Sequence, residues 1–115
     1  MTFNFSRFAN LVGGTNTDSF ILSGGTLTGS VNGGAGANTL TADNVANSWT
    51  ITGANAGTVT GIGGTFSNIE NLVGGTAGNT FTFDDAATIS GNVNGGAGGT
   101  NVTCNTPSIC RIFTD

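Results

Sequence analysis

Apolar residues stand singly between small polar ones along most of the chain, as in Thr39-Leu40-Thr41, Thr50-Ile51-Thr52 and Thr80-Phe81-Thr82. Alternation of this kind belongs to a strand with one buried and one solvated face. Nowhere do apolar residues recur at the spacing of a helix, so the pattern predicts short strands and no helix. Gly-Gly and Gly-Ala pairs punctuate these runs and suit corners, where the backbone needs a positive φ or a close approach.

The strands recur. Leu11, Val31, Ile51, Leu72 and Val93 each stand two positions before a glycine pair of this kind, at steps of 20, 20, 21 and 21 residues. A second apolar series, Phe20, Leu40, Val59, Phe81 and Val102, follows the first, and a third, less regular one includes Leu27, Trp49, Phe66, Ile69, Ile89 and Ile109. A longer unit contains them: Asn10-Leu11-Val12-Gly13-Gly14-Thr15 returns 61 residues later as Asn71-Leu72-Val73-Gly74-Gly75-Thr76. A period near 20 residues points to stacked supersecondary units, each burying its apolar face against its neighbours. The expected fold is all-β: a right-handed parallel β-solenoid of about five coils of ~20 residues, with three short strands in each. Trp49, in the third series, is expected in the core, with stacking on a sugar as the alternative.

The repeats occupy residues 11–103. Residues 1–10 read as a partial coil or N-terminal cap, and residues 104–115 as an irregular C-terminal cap or joint. Phe3, Phe5 and Phe8 at one end and Ile109, Ile112 and Phe113 at the other are a candidate end-to-end joint, because an incomplete coil can be completed by another copy. Cys104 and Cys110 either close a local disulfide, which would imply an oxidising compartment, or stand as two thiols.

The segment Gly33-Gly34-Ala35-Gly36-Ala37-Asn38-Thr39-Leu40 resembles the glycine-rich nonapeptide of RTX repeats. Residues 47–59 and 66–75 resemble repeats of very large bacterial surface proteins, the filamentous-haemagglutinin-like and RTX-like adhesins. The resemblance implies an extracellular or cell-surface solenoid module. In the RTX family the aspartate of the nonapeptide binds calcium, but here the aligned positions read Asp18, Asn38, Asn79 and Thr100. A single carboxylate gives calcium too little negative charge, so no cofactor is expected, and a ladder of stacked Asn side chains takes its place.

Charge narrows the function further. With 21 Gly, no His and only Arg7 and Arg111 as cations, the chain offers no basic stripe for nucleic acid. No apolar run reaches the ~20 residues that a membrane-spanning helix needs. With neither His nor Lys there is no base to activate a Ser or Thr nucleophile, and the glycine-rich stretches lack the Lys of a phosphate loop. Asp84-Asp85 is read as a turn and not as a glycosidase pair, since adjacent side chains on a strand diverge; Asp43 and Glu70 are read as isolated turn acids. No enzyme is expected.

One surface stands out. Thr39, Thr41, Thr58, Thr60, Thr80, Thr82 and Thr103 flank the second apolar series and would stack into a flat face of hydroxyls and methyls. The expected function is a non-catalytic structural or adhesive module that self-associates through open solenoid ends into a filament. The alternative is a monomeric ice- or carbohydrate-binding module using the Thr face, with surface glycans as partners.

Overall fold

A computed structural model describes the backbone of residues 2–4 and 9–104 and the side chains of residues 9–103. Phe5, Phe8, Ile109, Cys110, Ile112 and Phe113 lie outside the described residues, as do the side chains of Phe3 and Cys104. The choice between a disulfide and two thiols at Cys104 and Cys110, and the candidate joint between those end residues, fall there with them.

Numbered in chain order, the strands form two sheets. The five-stranded sheet has the order β1 (Thr2–Asn4), β3 (Ser19–Ile21), β5 (Thr39–Thr41), β9 (Asn71–Val73) and β11 (Val93–Asn94), every pair parallel. The seven-stranded sheet has the order β12 (Thr100–Cys104), β10 (Asn79–Phe83), β6 (Asn47–Gly53), β7 (Ala56–Val59), β8 (Phe66–Ser67), β4 (Val31–Asn32) and β2 (Leu11–Val12). Its pairs are parallel except those made by β7, which runs antiparallel to both neighbours. The described residues are therefore all-β, mainly parallel and without helix. The chain alternates between the sheets through β5, remains in the seven-stranded sheet through β6, β7 and β8, and then alternates again through β12.

The antiparallel strand departs from the uniformly parallel stack read from the sequence. β6 and β7 form a hairpin that pairs Gly53 with Ala56 across Ala54 and Asn55, and Asn55 takes a positive φ of 55°. Asn tolerates that conformation better than most side chains, and a tight reversal forces antiparallel pairing. The hairpin also changes which residues stack. Leu11 and Val31 align with Phe66, whereas Leu72 and Val93 align with Leu40 in the other sheet, and Phe81 lies between Trp49 and Val102. The third strand expected in each coil is not formed among the described residues, where only two isolated parallel bridges, Leu27 to Ile62 and Ala54 to Thr88, lie outside the two sheets.

Between the sheets lies one apolar core. Phe20, Leu40, Leu72 and Val93 project from the five-stranded sheet, and Val31, Phe66, Trp49, Ile51, Phe81 and Phe83 from the seven-stranded one. Trp49 is fully buried, stacked on Phe81 at 5.3 Å between ring centroids and edge-on to Phe66 at 6.0 Å. Its indole N–H donates to Asn79 Oδ1 at 3.4 Å, so the ring belongs to the core and presents no face to a sugar.

Candidate functional site

Alternation along β6 turns Trp49 and Ile51 inward, which leaves Ser48 and Thr50 on the outer face; β10 does the same with Thr80 and Thr82 around buried Phe81. Thr80 aligns with Ser48 on one side and Asn101 on the other, and Thr82 with Thr50 and Thr103. Across the hairpin Thr58 is opposite Thr50, while the Ser48 N–H donates to Thr60 Oγ1 at 3.0 Å and the Thr60 N–H to the Ser48 carbonyl at 3.2 Å. The outer face of β7, β6, β10 and β12 therefore carries the row Thr58-Thr50-Thr82-Thr103 and beside it Ser48-Thr80-Asn101, which Thr60, just past the end of β7, extends with its hydroxyl turned to the Ser48 N–H. Strand geometry sets about 4.8 Å between members of a row and about 6.7 Å between the rows. All eight side chains are uncharged and half-buried or exposed.

Five of the seven threonines singled out in the sequence, Thr58, Thr60, Thr80, Thr82 and Thr103, thus come together. Thr39 and Thr41 do not. They lie in the five-stranded sheet, Thr39 between Ser19 and Asn71 and Thr41 between Ile21 and Val73. Ser48 and Thr50 complete the face and were missed by the sequence reading. The signal was present, since Asn47-Ser48-Trp49-Thr50-Ile51 matches Asn79-Thr80-Phe81-Thr82-Phe83 position by position, as their pairing does.

Elsewhere, at the strand entries, polar side chains tie one strand's chain to the next. Asp18, Asn38 and Glu70 form a column leading into β3, β5 and β9. The Asp18 N–H donates to Asn38 Oδ1 at 2.8 Å, and the Asn38 N–H to Glu70 Oε1 at 2.7 Å. The fully buried Asn38 amide also donates to the carbonyls of Gly34, Ala35, Gly36 and Asn68 at 3.1–3.4 Å. Asn79 Nδ2 donates likewise to Ala77 O and Gly95 O, at 3.0 and 2.8 Å. The single Asn ladder expected from the sequence does not form: Asp18 and Asn38 stand at the entries of the five-stranded sheet and Asn79 and Thr100 in the seven-stranded one, and the Asn38 and Asn79 amides each hold their own turn and a neighbouring strand's chain through backbone carbonyls.

Glu70 and Asp43 are part of this network and not isolated acids, since Asp43 Oδ1 accepts the Gly24 N–H at 3.0 Å. Farther out, Asn10 accepts from Ser30 N–H, Asn71 from Asn92 N–H and Asn55 from Ser90 N–H, at 2.8–3.0 Å. Asp84 and Asp85 open a turn in which the Ala87 N–H donates to Asp84 O at 3.1 Å. Among the described residues no three His, Cys, Asp or Glu side chains gather as a metal site. Comparison with family models, with curated proteins and with solved structures returns no match.

Proposed function

We propose that the chain is a non-catalytic structural or adhesive module of the bacterial cell surface or extracellular space, a right-handed β-solenoid that stacks end to end into a filament. The supporting observation is that successive layers repeat one joint: parallel pairing plus a side-chain bond from one layer to the backbone of the next, as at Asp18–Asn38–Glu70 and Asn10–Ser30. A surface built of such layers is complementary to itself. The likeness of its sequence to repeats of large bacterial adhesins supports the same reading.

Electron microscopy and sedimentation of the purified chain test it. Unbranched fibres with an axial repeat of about 4.8 Å are the expected outcome. Particles that remain monomeric at every accessible concentration would overturn the filament.

A second reading is favoured by the eight-member face. Uncharged hydroxyls and methyls in two rows on a rigid sheet suit a ligand that is itself periodic, ordered water at an ice surface or a glycan chain. Inhibition of ice recrystallisation, or retention on a polysaccharide column, is the readout. Thr80→Lys places a charged chain in the middle of one row and should abolish either activity while leaving the circular dichroism spectrum unchanged.

A further inference from the structure

Which strands can meet between two copies depends on the sheet edges. Among the described residues, β2 and β12 are the two edges of the seven-stranded sheet. In a parallel ladder each residue directs its N–H and C=O to one side, and the next residue directs its own to the other. The N–H groups of Leu11 and Gly13 donate to Ser30 O and Asn32 O of the β4 layer, at 2.9 and 2.7 Å, which leaves the N–H and C=O of Val12 directed to the open edge. At the opposite edge the Asn79 N–H donates to Gly99 O at 3.2 Å, so by the same alternation the N–H and C=O of Asn101 and Thr103 serve β10 and those of Val102 are directed to the open edge.

The side chains match the backbone. Leu11 and Val102 both point toward the core, and each is only partly buried where its neighbours in the stack are fully covered. Val12 is 73% exposed, the most exposed large apolar side chain among the described residues. A cleft of about 530 Å³ opens beside it, with Leu11, Gly13, Asp18 and Phe20 in its wall. Among the described residues the five-stranded sheet likewise has β1 and β11 as its two edges.

We propose that β12 of one copy pairs in parallel with β2 of the next, with Val102 opposite Leu11, so that the seven-stranded sheet runs on between molecules. In that register the Val102 N–H donates to Asn10 O and the Val12 N–H to Val102 O. The partner is thus a second copy of this chain, and the joint rests on the filament reading above.

Val12→Pro tests it, because the substitution removes an N–H that the internal ladder does not use. The variant should keep the wild-type circular dichroism spectrum and urea midpoint while its critical concentration for assembly rises at least tenfold. Amide exchange on the wild type gives a readout that does not depend on the variant folding. The Val12 and Val102 amides should exchange rapidly in the monomer and be protected in the fibre, whereas Leu11 and Gly13 are protected in both. Fibres that form equally well from Val12→Pro, or in which Val12 and Val102 remain unprotected, overturn this joint and leave the filament standing. A wild type that never assembles overturns both.

Discussion

The Asn38 amide nitrogen faces the carbonyls of Gly34, Ala35, Gly36 and Asn68, a set of acceptors that a donor satisfies and a carboxylate repels. Asn38→Asp keeps the size of the side chain and reverses that match at a fully buried position. The expected loss of stability at neutral pH is about 3–5 kcal/mol, the range for an uncompensated buried charge. Burial raises the pKa of the introduced carboxyl in the folded state above its unfolded value near 4. The variant's deficit should therefore be smallest below about pH 4 and grow as pH rises from there, levelling off above the folded pKa. Urea titrations at pH 4 and pH 7 check the sign, and an equal deficit at both would remove the charge from the explanation. A second residue-scale test concerns Ala86, held at a φ of 64° in the turn after β10. Ala86→Gly relieves that left-handed strain and should stabilise the chain by roughly 0.5–1 kcal/mol, read from the urea midpoint. The glycine-rich corners were legible in the sequence because glycine and Asn are chemically suited to them. The partners of each Asn were not, since those carbonyls come from chain that is distant in sequence.

At the scale of elements, the β6–β7 hairpin decides how the chain is threaded, and Asn55 is the residue on which it turns. Asn55 supplies the positive φ, accepts the Ser90 N–H at 2.8 Å and donates to Ser90 Oγ at 3.0 Å. Two effects can be separated here. Asn55→Ala loses the Ser90 bonds and keeps the unfavourable backbone, for an expected cost of about 2 kcal/mol. Asn55→Gly loses the same bonds but releases the strain, and should cost about 1 kcal/mol. The order wild type, Gly, Ala in urea midpoint is expected; a Gly variant as stable as the wild type would show that the Ser90 tether contributes nothing. The strands themselves were legible from period-two alternation, and so was the long repeat. Its phase was not. Leu11 lies in the seven-stranded sheet and its sequence counterpart Leu72 in the five-stranded one. Of the seven strand-to-strand steps from β2 to β9, the two within β6, β7 and β8 stay in one sheet, which leaves five crossings, an odd number that puts the two counterparts in opposite sheets. The sequence carried two hints, Val59 standing one position early in its series and the Gly53-Ala54-Asn55-Ala56 turn, which together mark a hairpin.

For the whole molecule, what the sequence showed was an all-β, mainly parallel fold, and what it hid was the division of the threonines between two sheets. Equal spacing along a chain predicts one column only if every coil is wound alike, and the hairpin breaks that condition between Thr41 and Thr58. The same scale governs association. The chain carries a formal net charge of -4 at pH 7, from six acidic and two basic side chains, and its isoelectric point is near 4.1. Copies approaching end to end at neutral pH would therefore repel one another, while the proposed β2–β12 joint would draw them together through backbone bonds and apolar contacts. Two ways of weakening the repulsion should agree. Lowering the pH from 7 toward 4.1 reduces the net charge, and raising salt at pH 7 from 0.01 to 0.15 M shortens the Debye length from about 30 Å to about 8 Å. Each should shorten the lag before fibres form, as followed by light scattering. If salt slows assembly at pH 7, attraction between opposite charges must contribute to the joint, and the backbone-and-apolar account of it fails.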